Sequence, residues 1–305
     1  MLVLAAAHNP LTYFQAIVLG LLQGVTELFP ISSLGHSVLL PKLFGWDKLV
    51  AAQSSSESFY LAFLVALHVG TAVALFIYFR KEWYGIIGGF FRSVAKRGIE
   101  TADERLAWLL VVATIPAGIT GLLFEHELRT VFAKPLAAAV FLMVNGLLLL
   151  AGERYRRRAE VRQLVATHAA THSETEVGRR LDTLNFREAV AVGVAQIGAL
   201  FAGISRSGIT MIAGLARGLD HEDAARFSFL LATPIIFGAG LVKLPDLFGT
   251  LGNGVRAQSF VGAIAAGLAA YVSVRFLMRF FETRTLWPFG VYCLVFGAIC
   301  TVAFL

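Results

Sequence analysis

Two short segments place ionisable side chains inside otherwise apolar stretches of the chain. Residues 23–37, QGVTELFPISSLGHS, contain Glu27 and His36, and residues 196–210, QIGALFAGISRSGIT, contain Arg206. Ionisable groups at membrane depth are energetically unfavourable and usually functional. A carboxylate, an imidazole and a guanidinium together suit proton transfer and the binding of phosphate oxygens. These two segments therefore form the candidate site.

Gln23 and Glu27 are four positions apart, which puts both side chains on one face of a helix. A carboxylate and an amide oxygen suit a hard divalent cation, Mg²⁺ or Ca²⁺. Water or substrate phosphate would complete the coordination shell of the cation. We therefore predict a metal or phosphate site at Glu27 and Gln23. The alternative is a hydrogen-bonded glutamate that caps neighbouring backbone.

The stretch after Pro30 is the predicted tip of the first segment. Ser32, Ser33 and Gly35 would offer hydroxyls and free backbone N–H groups at a helix start, where anions bind. His36 would act as general base, nucleophile or proton donor to a leaving oxygen. The alternative is a histidine that only makes a structural hydrogen bond.

The second tip, GISRSGIT, is predicted to bind phosphate through Arg206. Its guanidinium is a planar donor fork that pairs with phosphate oxygens and stays charged. An interfacial arginine extending to the membrane surface is the alternative, which a position between hydroxyl residues disfavours. The hydroxyls predicted to line the site with Arg206 are Ser205, Ser207 and Thr210.

The composition identifies the environment that must position these residues. Of 305 residues, 57% are hydrophobic and 15% charged, well outside the range of soluble domains. Six apolar stretches are long enough to cross a bilayer. They are residues 58–80, 105–124, 134–152, 226–246, 257–280 and 286–305. The net charge of +6 comes from arginines clustered in loops, which indicates membrane orientation rather than binding to nucleic acid.

Loop charge predicts how the two polar segments enter the membrane. The loops after residues 80, 152 and 275 are rich in arginine, which places them in the cytoplasm under the positive-inside rule. Residues 187–217 must then enter and return on the cytoplasmic side as a re-entrant hairpin. The same argument from loop charge predicts that residues 11–44 form a re-entrant hairpin that enters from the outside. The two tips would then point at each other.

An internal repeat supports this arrangement. Gln23 and Gln196, Ser32 and Ser205, and Gly35 and Gly208 are each 173 positions apart. We predict an all-α polytopic membrane protein with six transmembrane helices and two re-entrant helical hairpins in an inverted-topology repeat. Its parts are a first repeat, residues 1–152, a cytoplasmic connector, residues 153–186, and a second repeat, residues 187–305.

The motifs resemble those of the undecaprenyl-diphosphatase family, also called bacitracin-resistance proteins. QGVTE followed by LFPISSLGH resembles its first signature, GISRSGIT its second, and FSFLLATP also looks like the family. The resemblance covers essentially the whole chain. Ala202 replaces the proline expected before Gly203, and Gln23 is a variant that removes one negative charge from the predicted metal site.

The resemblance implies removal of the terminal phosphate from undecaprenyl diphosphate, which recycles the lipid carrier for cell-wall synthesis. It further implies a divalent cation, a multi-pass location in the bacterial inner membrane, a site open to the periplasm and possible homodimers. The implied catalytic residues are His36, Glu27, Arg206 and Ser33, with Glu27 and Gln23 as metal ligands. The implied substrate-binding residues are Gln23, Ser32, Ser205, Ser207, Thr210 and Gly203.

Two other functions are weighed against this one. A lipid-carrier flippase or transporter would use the same inverted-repeat architecture, although Glu, His, Arg and Ser together favour an enzyme. A phosphatidic-acid-type phosphatase requires a histidine six residues after the motif arginine, where this chain has Ile212. That second alternative is therefore excluded.

Overall fold

The computed structural model describes residues 11–53, 58–132, 134–170 and 179–305. Those residues form α-helices joined by turns and short 3₁₀ segments, and the β-structure among them is one isolated bridge between Arg179 and Leu219. The helices are α1 (Tyr13–Thr26), α2 (Ser33–Leu43), α3 (Asp47–Gln53), α4 (Phe59–Tyr78), α5 (Arg80–Lys96), α6 (Ala102–Phe132), α7 (Pro135–Ala170), α8 (Phe186–Ala195), α9 (Arg206–Ala216), α10 (His221–Phe248), α11 (Arg256–Phe281) and α12 (Trp287–Phe304).

Six helices of this described part are long and apolar enough to cross a membrane. They are α4, the part of α6 up to Phe124, the part of α7 up to Val161, α10, α11 and α12. Each overlaps one of the stretches predicted from the sequence. The prediction of an all-α, multi-pass membrane protein is therefore confirmed.

The two polar segments each form a pair of short helices around a turn. Helices α1 and α8 begin at Tyr13 and Phe186, and α2 and α9 begin at Ser33 and Arg206. Both pairs of starting points are 173 positions apart, the offset found in the sequence. The side of the membrane from which each pair enters stays a prediction.

Helices from the two halves of the chain pack against each other. Helix α1 lies on α11, and α8 lies on α6, so each short pair rests on the second span of the other half. Gly20 and Gly24 permit the first contact, because an added Cβ would lie 2.3 Å from the Gly262 oxygen and 2.2 Å from the Ala266 oxygen. Such close approach through small residues is typical of membrane helices.

Two regions outside the predicted spans also contain helix. The basic loop after α4 contains α5, and α7 continues past residue 152 to Ala170 into the predicted connector. Glu153 in this extension is buried, where its Oε2 accepts hydrogen bonds from His221 Nε2 at 2.9 Å and the Leu286 N–H at 3.2 Å. The start of segment 153–186 therefore packs with the bundle, whereas residues 171–178 lie outside the described residues.

Candidate active site

The first tip is the turn between α1 and α2, and Ser32 fixes its shape. Ser32 has φ 70°, a left-handed conformation that is unusual for serine. Its Oγ caps α2 by accepting the Gly35 N–H at 3.2 Å. The same Oγ accepts the Gly203 N–H at 3.2 Å, so Ser32 also joins the first tip to the second.

The second tip repeats this capping arrangement. Ser205 Oγ accepts the Gly208 N–H at 3.1 Å at the start of α9. Gly203 has φ 108°, and an added Cβ would lie 2.4 Å from the Ala138 oxygen. Because glycine alone fits this conformation and this space, Gly203 shapes the tip.

One amide on α7 holds the two tips together. Asn145 Nδ2 donates to the Pro30 carbonyl at 3.0 Å, and Asn145 Oδ1 accepts the Ser205 N–H at 2.9 Å. Asn145 is 1% exposed. Its two bonds satisfy one backbone group from each tip, which fixes their separation.

Glu27 is the centre of the cluster formed where the tips meet. It is 7% exposed, and its Oε1 accepts a hydrogen bond from Arg206 Nη2 at 2.7 Å. Its Oε2 accepts from Ser33 Oγ at 2.5 Å and Gln23 Nε2 at 3.0 Å, and it lies 3.2 Å from His68 Nε2. We call these five residues the Glu27 cluster.

Hydrogen-bond geometry indicates the charge on His68. Its Nδ1 lies 2.8 Å from the Leu64 carbonyl, which can only accept, and its Nε2 faces the Glu27 carboxylate. With Glu27 ionised, both ring nitrogens must carry hydrogen, so His68 is a cation. Arg206 and His68 then outweigh the single negative charge of Glu27, and the cluster attracts anions.

Arg206 also keeps one donor free of protein partners. Its Nη1 is buried and makes no hydrogen bond to any of the described residues. A buried guanidinium nitrogen without an acceptor is unfavourable unless a ligand oxygen accepts its hydrogen bond. The position and charge of this atom therefore suit a phosphate oxygen.

His36 contacts α12 through its ring. Its Nδ1 lies 2.8 Å from the Ser32 carbonyl and must donate, so in the neutral ring Nε2 accepts from the Tyr292 hydroxyl at 2.8 Å. The ring stacks on Phe296 with centroids 5.2 Å apart. The structure therefore places this predicted catalytic residue at the first tip, held by aromatic side chains.

The remaining predicted hydroxyls of the second tip bond to one another, to α10 and to the Phe29 carbonyl of the first tip. Ser205 Oγ and Ser207 Oγ are 3.0 Å apart. Thr210 Oγ1 lies 2.6 Å from Ser228 Oγ on α10. These hydroxyls, all buried, support the tip around Arg206, whereas Ser33 alone among the predicted hydroxyls contacts Glu27.

Comparison with known proteins identifies the family. The family model described as bacitracin resistance protein BacA matches residues 16–299. The chain belongs to the BacA family. This match spans both tips and all six candidate membrane spans up to Ile299.

Several curated relatives in the BacA family are similar over nearly their full length. A protein of Frankia alni named undecaprenyl-diphosphatase 2 is 54% identical, over 97% of this chain and 99% of its own. The undecaprenyl-diphosphatase of Mycolicibacterium paratuberculosis is 54% identical, over 96% of this chain and 97% of its own. A Burkholderia lata protein named undecaprenyl-diphosphatase 2 is 47% identical, over 93% of this chain and 94% of its own.

The donor set of this BacA protein can be compared with the needs of a divalent cation. The described residues contain no group of three or more His, Cys, Asp or Glu side chains arranged for a metal. Mg²⁺ commonly takes only one or two carboxylates from the protein and completes its shell with water and substrate phosphates. Glu27 and Gln23 would supply that smaller share only after rearranging, because Gln23 turns its Nε2 donor toward Glu27 and both carboxylate oxygens accept from protein donors.

Sequence reasoning missed two residues of this BacA site. His68 lies outside both polar segments, but it contacts Glu27 from the middle of α4. Its one signal was an ionisable residue in a span, the same signal that singled out Glu27. Tyr292 carried no signal, because tyrosines are frequent near membrane interfaces.

Proposed function

We propose that this protein is an integral membrane phosphatase that hydrolyses undecaprenyl diphosphate to undecaprenyl phosphate and inorganic phosphate. The observation that carries the proposal is the contact between Arg206 and Glu27 at the meeting point of the two tips. A phosphate-binding cation, a carboxylate and the Ser33 hydroxyl converge there in a chain of the BacA family. Curated relatives across its full length carry the name undecaprenyl-diphosphatase.

Arg206 and His68 would bind the terminal phosphate. Nη1 of Arg206 has no protein acceptor, and the charges of both residues face the same carboxylate. Phosphoryl transfer depends on placing cations where charge spreads over the phosphate oxygens. Substrate phosphate would therefore share the two cations with Glu27.

Ser33 is the nucleophile that the geometry favours. Its hydroxyl donates to Glu27 Oε2, so Glu27 is placed to take the proton. Ser33 Oγ would form a bond to the terminal phosphorus while the bond from phosphorus to the bridging oxygen breaks, releasing undecaprenyl phosphate. Water would then hydrolyse the phosphoserine, releasing inorganic phosphate and restoring the serine.

His36 would assist the second step from the first tip. In its neutral form the acceptor nitrogen is Nε2, which is hydrogen-bonded to Tyr292. Release from that bond would let Nε2 accept the proton of the attacking water. Tyr292 would hold the ring in position between turnovers.

A divalent cation would complete the site. Glu27 and Gln23 would hold it, and it would neutralise negative charge on the phosphate oxygens. Loss of phosphate release after EDTA treatment, with recovery on adding Mg²⁺ or Ca²⁺, is the expected result.

The cellular setting follows from the same assignment. We place the protein in the bacterial inner membrane as a homodimer, with the two helix pairs as re-entrant hairpins of an inverted repeat and the site open to the periplasm. There it would regenerate the monophosphate carrier for cell-wall synthesis. Cysteine labelling tests this orientation, because only external positions react in intact cells. Residues between α10 and α11 should react, and residues between α4 and α6 should not.

Phosphate release from undecaprenyl diphosphate by the purified protein in detergent tests the activity. We expect release by the wild type and loss in Arg206→Ala and His36→Ala variants that remain folded. Acid quenching during turnover should trap phosphoserine in the wild type and none in Ser33→Ala. Absence of release from well-folded wild type would contradict the phosphatase assignment, since a detergent sample has no second compartment for transport.

A further inference from the structure

Helix α5 has three faces of different chemistry. At about 100° per residue, its side chains fall into sectors centred roughly 120° apart. One sector packs on the protein through Trp83, Ile86, Gly89 and Ser93, all buried. The other two are exposed, and they differ in polarity.

The first exposed sector is an apolar stripe. Tyr84 is 76% exposed, Ile87 41%, Phe91 66% and Val94 51%. Their spacing of three or four residues keeps all four on one line along the helix. Large apolar side chains exposed in a continuous line mark a surface that something apolar covers.

The second exposed sector is cationic. Lys81, Arg92 and Lys96 lie along it, and Arg97 follows at the end of the helix. Lys96 pairs with exposed Glu100 at 3.0 Å, and Arg92 lies 3.7 Å from Glu104. Glu104 is buried, whereas the Lys96–Glu100 pair is exposed at both ends; an exposed pair contributes little and leaves Lys96 available to other anions.

The connections of α5 keep it at the membrane boundary. It begins two residues after the span α4 ends at Tyr78, and the next span begins at Ala102. Its packing on α6 is close: an added Cβ on Gly89 would lie 2.9 Å from the Glu104 nitrogen, and Trp108 Nε1 donates to Ser93 Oγ at 2.9 Å. The helix is therefore held in one rotational setting between two membrane spans.

We propose that α5 lies in the plane of the bilayer, with its apolar stripe in the acyl chains and its cationic sector bound to the headgroups of anionic phospholipids. An amphipathic helix with aromatic and aliphatic residues on one face and lysine and arginine on another binds membranes in this way. The charge pattern selects lipid as the occupant, because the exposed basic residues after Arg80, the first residue of the helix, line the stripe on one side. This inference does not depend on the phosphatase activity.

Spin labels on single introduced cysteines test the geometry in the full-length protein. The wild-type chain serves as the labelling control, since Cys293 and Cys300 are buried. Labels from Tyr84→Cys, Ile87→Cys and Phe91→Cys in phosphatidylglycerol-containing nanodiscs should be accessible to oxygen and shielded from a water-soluble nickel complex. A label from Lys81→Cys should show the reverse.

Two results would overturn the geometry. Nickel access to the apolar stripe would place α5 in water. Protection of the stripe from both reagents would mean that protein covers it, including a second copy of this chain.

Lipid selectivity tests the cationic sector. Spin-labelled phosphatidylglycerol should associate more strongly than spin-labelled phosphatidylcholine, and Lys81→Gln with Lys96→Gln should lower that ratio by up to about 30-fold, from about 1 kcal/mol for each of the two basic residues. The control carries the same charge change at Arg157→Gln and Arg158→Gln, exposed on α7. An unchanged ratio, or an equal fall in the control, would contradict a specific role for α5.

Discussion

The Arg206 guanidinium lies 2.7 Å from the Glu27 carboxylate, although 179 positions of sequence separate the two residues. Each comes from a different short helix pair, and both side chains are largely buried, at 15% and 6% exposure. Breaking a buried ion pair on one side leaves a charge without compensation. The pair therefore both stabilises the contact between the tips and concentrates charge at the proposed site.

Replacing Arg206 by lysine tests the need for a planar donor fork. Arg206→Lys keeps the charge but cannot contact Glu27 and a phosphate oxygen with two nitrogens at once. We expect kcat for phosphate release to fall by about 10²–10³, as for loss of one donor that stabilises transition-state charge. Arg217→Lys, exposed at the other end of α9, is the matched control and should retain full activity.

The energetic coupling of Arg206 and Glu27 can be measured by a double-mutant cycle. Glu27→Gln should destabilise the protein by about 3–5 kcal/mol, because it leaves the buried Arg206 charge unpaired, whereas Arg206→Gln should cost less, because His68 still faces Glu27. The double variant should lose less than the sum. Additive losses in thermal unfolding in detergent would show that the contact contributes no stability.

His68 is expected to affect substrate binding. His68→Gln retains a donor toward Glu27 but removes the cation, which reduces attraction for the diphosphate. We expect KM to rise about tenfold, equivalent to about 1.4 kcal/mol, with a smaller effect on kcat. Thr71→Val, at a fully buried position one turn further along α4, should leave KM unchanged and controls for general disturbance of the helix.

Tyr292 should influence the rate through His36. Tyr292→Phe preserves stacking on the imidazole and removes only the hydroxyl at 2.8 Å from Nε2. Since His36 Nε2 must leave this bond of about 1 kcal/mol before it accepts the proton of water, removing the hydroxyl predicts a roughly fivefold higher rate of phosphoserine hydrolysis with KM unchanged. Tyr271→Phe on α11 makes the same chemical change elsewhere, and an equal effect there would argue against positioning of His36.

Gly203 should tolerate no side chain. Gly203→Ala combines φ 108° with a Cβ that would lie 2.4 Å from the Ala138 oxygen, so we expect at least about 2 kcal/mol of destabilisation. Gly118→Ala is the control, since an added Cβ there meets no atom within 4 Å. Thermal unfolding of both variants in the same detergent tests this prediction, since Gly203→Ala should lose stability and Gly118→Ala should not.

The sequence was sufficient to predict the spans and both polar tips, because these depend on local hydropathy and on motifs of a few residues. Glu27, Ser33 and Arg206 converge as their tips meet, and the 173-residue offset anticipates where the helices begin. His68 and Tyr292 reach the site from long apolar helices whose rotation depends on packing. Such rotation is set by contacts between distant segments, which local patterns do not contain. The same reason explains why His36 faces Tyr292.

Ser33 and Arg206 occupy equivalent positions in the two tips. Each is the first residue of its helix and directly follows a capping serine. The two tips thus share the same helix start but carry different functional groups. The first tip has a hydroxyl and an acid, and the second has a permanent cation. Two identical copies would present either two acids or two cations to each other. The different residues at these equivalent positions therefore make the proposed site asymmetric, and a ligand bound there would have one orientation.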